Sequence, residues 1–154
     1  AHLLIAAASE VDVVLKALCN NLNGDRNHRN INDYRDTITQ ELQIIVNENC
    51  YVPRFGLELI PWDNWNDENN NPNWWQSYNN VKHQRDRHFR DANLKNVLNA
   101  VAALQLVNLY FYKSRLEEEN GEKLEMREIT LKLQPESTLL KCDEDYYYEN
   151  LIVK

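Results

Sequence analysis

Between Lys82 and Arg90, six of nine residues are basic: Lys82, His83, Arg85, Arg87, His88 and Arg90. Such a segment suits chemistry on phosphate. Arginine supplies paired donors to phosphate oxygens. Histidine gives or takes a proton near neutral pH. Together they offer what metal-independent RNA cleavage needs: a base for the 2′-OH proton and cations around the charged phosphorus centre. On one continuous helix Asn79 and His83 stand four apart, as do His83 and Arg87. The spacing therefore predicts a face bearing Asn79, Asn80, His83 and Arg87, with Lys82, Arg85 and His88 on neighbouring faces. His83, Arg85 and Asn79 are the candidate catalytic residues. Lys82, Arg87, Asn80 and His88 are the candidate substrate contacts. The competing reading is a solvated charged face on which Asp86 pairs locally.

The elements that must hold this segment are helical. Leu94, Val97, Leu98, Val101, Ala102, Leu104 and Leu106 recur at helical spacing just after it. They predict a long core helix from Asp91 or Ala92 to about Glu118. A preceding helix is predicted from Asn73 to about Arg87. The first helix is read over Leu3 to Leu22, closed by Gly24 as a left-handed cap. Asn30 or Asn32 caps a second, with Tyr34, Ile38 and Leu42 on one face. Ser9, Glu10, Asp12 and Lys16 interrupt the apolar first helix. Carboxylates on a partly buried face need cationic or hydrogen-bonding partners. We therefore expect Glu10 and Asp12 to support Lys82, His83 and Arg85. Exposed positions, or salt bridges of purely structural role, are the alternative.

Residues 43–72 read as a loop or hairpin excursion. Ile44–Val46 and Leu57–Ile60 are short strand-like runs, and Pro61 to Pro72 is an Asn, Asp and Trp loop. Over 121–154 the pattern predicts a β appendage. Its strand is Glu128–Gln134, a turn follows at Pro135–Ser137, then Thr138–Lys141, and a further strand draws on Tyr146–Tyr148 and Leu151–Val153. The predicted architecture is mainly α, an up-and-down four-helix bundle over 1–120 with a small β-hairpin appendage, all in one domain.

Composition narrows the function. The 154 residues carry a formal net charge of −7, which argues against a general nucleic-acid coat but not against a local cationic site. Cys19, Cys50 and Cys142 are odd in number and far apart, and read as isolated buried thiols of a reducing cytoplasm. There is no Gly-rich phosphate loop, no H-E-x-x-H and no G-x-S-x-G. His2, His28, His83 and His88 form no ligand set with carboxylates, so no metal and no cofactor are expected. No apolar run reaches membrane-spanning length, so no membrane partner is expected. Nor does the apolar opening read as a signal peptide, since Glu10 and Asp12 interrupt it. Trp62, Trp65, Trp74 and Trp75 fall within fourteen residues. Rings like these stack on unpaired bases or anchor a loop. Anchoring is expected for Trp74 and Trp75, beside a helix start.

AAASEVDVVLKALC near the start, followed by WWQSYNNVKHQRDRHFRDANLKNVLNAVAAL, resembles the HEPN superfamily and its poorly characterised bacterial branches. The likeness covers the first helix and about Trp74 to Tyr112. It implies a bundle of four or five helices. It further implies a metal-independent endoribonuclease of a bacterial defence or toxin–antitoxin system, or a non-catalytic module that binds a nucleotide or a protein. A cytoplasmic homodimer with a composite site, RNA or nucleotide as ligand, and an antitoxin or defence partner follow from it. The family motif is an Arg, a polar residue and a His, with about four to six residues between Arg and His. His83 matches the histidine, and Asn79 or Asn80 the polar residue. Tyr78-Asn79-Asn80-Val81-Lys82 precedes His83 without an Arg, and His88 has Arg85 and Arg87 too near it. A third reading is a helical domain whose charges serve only solubility or dimerisation.

Overall fold

The computed structural model describes residues 1–67, 70–133 and 137–142. Among the described residues are six α-helices, short 3₁₀ turns and one two-stranded antiparallel sheet. α1 spans His2–Leu22 and buries Leu4, Ala8, Val11, Leu15, Leu18 and Cys19, the stripe that the three-and-four spacing predicts. Its main partner is α5, Leu94–Asn120. Both bury alanines (Ala7 and Ala8; Ala100, Ala102 and Ala103), which lets two backbones pack closely. Asn93 caps α5 by accepting from the Asn96 N–H at 3.0 Å. Gly121 closes it in the left-handed conformation (φ 71°).

Gly24 plays no such role. Asn23 leaves α1 in an extended conformation (φ −151°), with its N–H returning to the Cys19 carbonyl at 2.9 Å, so the chain has already turned before Gly24. α2, Ile31–Glu41, starts on the Asn30 cap. The Asn30 side chain accepts from Asn32 and Asp33, and Asp33 returns a bond to the Asn30 N–H. α2 buries Tyr34 and Ile38 as the sequence predicts, with Leu42 just past its end.

His28 joins α1 to α2. Its ring is buried, with Nδ1 2.8 Å from Asn20 Oδ1 and Nε2 2.9 Å from Thr37 Oγ1. Those partners suit the neutral ring that carries its proton on Nδ1. Burial first, then the nearby Arg26 charge, lowers the His28 pKa below its ordinary 6.5. The unfolded chain therefore binds this proton more readily than the folded one. Stability is full above about pH 6.5 and falls as the pH drops towards the lower folded value. Thermal melts should lose stability from pH 7 to pH 5, and His28→Gln should flatten that dependence. An unchanged slope in the variant would remove His28 from the acid response.

The excursion contains the expected hairpin. β1, Cys50–Val52, pairs with β2, Leu57–Leu59, around Gly56 (φ 60°). Ile44–Val46 is not a strand. Gln43–Asn47 forms a 3₁₀ turn, with Ile45 and Val46 buried side by side, and a half-buried strand would point these neighbours to opposite faces. Trp62, Trp65, Trp74 and Trp75 are all buried in one chain of ring contacts. Each lies in the core, anchoring the loop to the start of α3, Asn73–His83.

The tail corrects another expectation. Met126–Lys132 is a helix, α6, rather than the strand read over Glu128–Gln134. Glu125 and Glu128 form a reciprocal capping box, and Met126, Ile129 and Thr130 bury one helical face. Leu131, which completed the alternation of a strand, is exposed. Tyr51 and Lys141 then form a single antiparallel bridge that brings the chain back to the hairpin. The expected strand at Tyr146–Tyr148 and Leu151–Val153, and most of the turn before Ser137, lie outside the described residues.

Candidate functional site

The basic segment begins where α3 stops. Gln84 leaves the helical region (φ −141°, ψ 56°), and its N–H closes on the Asn80 carbonyl at 2.8 Å. The chain then restarts as the single turn α4, Arg85–His88, and a 3₁₀ turn over Phe89–Asp91 leads to α5. This break overturns the predicted continuous helix to Arg87. Arg87 is therefore not one turn beyond His83, and the expected face keeps Asn79, Asn80 and His83 only. One residue off the helical path is enough to redirect every side chain after it.

The cations reach different partners. Lys82 donates to the Tyr78 hydroxyl at 3.0 Å and lies 5.2 Å from that ring. The Tyr78 oxygen, with a smaller contribution from Asp12, holds the Lys82 ammonium above its usual pKa. Tyr78 also meets Ser9 of α1 at 3.4 Å. Arg85 donates to His2 Nε2 at 3.3 Å and stands 6.0 Å over the Phe89 ring. His88 donates to Asp91 at 3.0 Å, and Asn80 reaches the same carboxylate oxygen at 3.4 Å. Among the described residues, His83, Arg87, Arg90 and Asp86 make no ion pair or side-chain hydrogen bond, and all four are exposed. Asn79 is half-buried, without a side-chain bond among those residues.

The expected support from α1 is partial. Asp12 acts through its charge on Lys82 and on Tyr34 of α2. Burial first, then Asp12, pushes the Tyr34 phenol well above its ordinary range. Glu10 is exposed and pairs with none of the cations among the described residues. His83 and Arg85 receive no carboxylate from α1. The segment meets α1 through Lys82–Tyr78–Ser9 and, at the surface, through Arg85–His2. Tyr78 stands four before Lys82, a spacing visible in the sequence. His2 lies 83 residues from Arg85, and no local pattern connects them.

The segment is therefore an exposed cationic ridge, not a closed catalytic pocket. Leu3 near the start of α1, Phe89 just after α4 and Leu94 at the start of α5 are exposed large apolar side chains. A groove of about 670 Å³ lies elsewhere, lined by α1, α2 and α5 residues including Glu41, Tyr110, Lys113 and Glu117. Of its acids, Glu117 is engaged in structure. Burial alone would raise Glu117, but bonds from Lys113, the Leu124 N–H and Lys123 hold it below the usual carboxylate range. No three His, Cys, Asp or Glu side chains gather to hold a metal among the described residues. No described helix is long and apolar enough to cross a membrane. No family model, curated protein or solved structure matches the chain.

Proposed function

We propose that the chain binds RNA, or the phosphates of a nucleotide, through the ridge at the α3–α4 break. One observation carries this reading. Lys82, Arg85, Arg87 and Arg90 are exposed together without a carboxylate partner among the described residues, on a chain whose net charge is −7. Some cations elsewhere are tied to acids, such as Arg26 and Arg35 to Asp36 and Arg115 to Glu118, while Arg29, Arg54 and Lys95 have no ion pair among the described residues but are scattered along the chain rather than clustered. Leaving like charges adjacent is unfavourable unless an anion joins them, and phosphate is an anion that the arginine fork and the lysine ammonium both bind well. In this reading the chain is a non-catalytic, HEPN-like module of an up-and-down helical bundle. It works in a bacterial cytoplasm within a defence or toxin–antitoxin system.

Metal-independent RNA cleavage is the second reading. Neither ring nitrogen of His83 is engaged within the described residues, and Arg85 is two residues away. In this reading a second copy completes a composite site, as the resemblance implies. Binding is favoured because no described carboxylate orients His83 as a base.

The test is labelled RNA incubated with the full chain in EDTA, beside His83→Ala. We expect saturable, salt-sensitive binding, intact RNA, and little change in the variant. Cleavage by the wild type that His83→Ala abolishes would establish the second reading. Failure to bind any RNA or nucleotide at low salt would overturn both.

A further inference from the structure

Two of the three cysteines meet, contrary to the expectation of isolated thiols. Tyr51 and Lys141 exchange both backbone bonds, N–H to O at 2.6 Å and 2.8 Å, so they form a hydrogen-bonded antiparallel pair. One step outward in that register sets Cys50 directly opposite Cys142, in the non-hydrogen-bonded position. There the α-carbons approach to about 4.5 Å, inside the range a disulfide bridges without backbone movement. The side chains agree with the register. Both side chains are buried, Cys142 is the leading influence on the Cys50 thiol, and that thiol is directed at the Ala102 carbonyl at 3.9 Å while the two are reduced. Cys19 is apart from them, its thiol directed at the Tyr34 carbonyl at 3.9 Å.

We propose that Cys50 and Cys142 are a disulfide-forming pair, through which a small-molecule disulfide such as oxidised glutathione covalently ties the hairpin to residues 137–142. The exchange is balanced. One protein thiolate attacks the glutathione disulfide, forming a mixed disulfide and releasing a glutathione thiolate. The second protein thiolate attacks the protein sulfur of that mixed disulfide and releases the other glutathione. Two protein thiols are oxidised, one disulfide is reduced to two thiols, and the two protons pass to the glutathione thiolates.

The surroundings set the rate. The neighbouring Cys142 thiol, followed by burial, holds the Cys50 thiol far above its ordinary pKa. Thiolate is therefore scarce in the closed form, and exchange is slow until the Tyr51–Lys141 bridge opens. The pair resists casual oxidation and responds when its segment loosens. Cys19, pushed up to about 12 by burial, has no thiol facing it among the described residues and stays reduced.

The experiment is to unfold and reduce the full chain and refold it in a glutathione redox buffer, which removes the access barrier. Remaining thiols are then alkylated and peptides mapped. We expect one dominant cross-link, Cys50 to Cys142, a mass lower by two hydrogens, and Cys19 alkylated. The cross-linked chain should melt higher than the reduced chain, by on the order of 10 °C, because the bond closes a long loop. Cys142→Ala should abolish the cross-link and that difference. A dominant pair containing Cys19, or three thiols left reduced or singly glutathionylated in the refolded wild type, overturns the proposal without recourse to any variant.

Discussion

Trp62→Ala is expected to cost about 3–5 kcal/mol of folding stability, the range for emptying a buried aromatic site. Trp62 is fully buried, with ring centroids 4.4 Å from Trp65 and 5.2 Å from Trp74. It joins the 3₁₀ turn at Asp63–Asn66 to the start of α3, so its loss opens a cavity that two other large rings border and cannot easily fill. The indole nitrogens separate two milder variants. Among the described residues Trp62 Nε1 has no hydrogen-bond partner, whereas Trp74 Nε1 donates to the Pro61 carbonyl at 2.8 Å. Replacing Trp62 by Phe removes a buried donor that gains nothing. The same change at Trp74 leaves a buried carbonyl without its donor, costing about 1–3 kcal/mol beyond the lost volume. Denaturant melts of Trp62→Ala, Trp62→Phe and Trp74→Phe check this. Greater damage from Trp62→Phe than from Trp74→Phe would overturn this expectation.

Neutralising Lys82, Arg85 and Arg87 together to Gln should weaken single-stranded RNA binding about 50-fold near 0.15 M salt. The figure treats each cation as one phosphate contact that releases about 0.7 of a counterion. The same count predicts that the slope of log affinity against log salt falls by about 2. These side chains are exposed and none pairs with an acid among the described residues, so stability should change little. Arg54→Gln, on the exposed hairpin turn, serves as control for general charge. Binding titrations at several salt concentrations decide the matter. Equal losses in the triple variant and in Arg54→Gln would mean that the ridge is not a site.

Local order was readable wherever a repeating pattern carries the information. The stripe from Leu4 to Cys19 and the apolar run from Leu94 specify α1 and α5, because a buried face recurs every three or four residues. Asn30 announces α2 because a side-chain oxygen is needed there by unpaired N–H groups. Short segments were less legible. Ile129, Leu131 and Leu133 alternate as a strand would, yet Met126, Ile129 and Thr130 also mark a helical face, and the Glu125–Glu128 capping box decides for the helix. Likewise Ile44–Val46 has the composition of a strand, but the 3₁₀ turn buries consecutive residues.

By itself the sequence determined the mainly helical body, the Asn30 cap, and the clustering of basic residues between Lys82 and Arg90. These depend on neighbours within a few positions. Only the tertiary structure decided where those residues point. The single non-helical residue Gln84 separates Arg87 from His83, and a periodicity that runs unbroken through the sequence does not register one backbone angle. Lys82 beside Tyr78 and Asp12, Arg85 against His2, and Cys50 opposite Cys142 all depend on how distant faces dock. Each such meeting is set by packing over the whole core, so no stretch of chain encodes it alone.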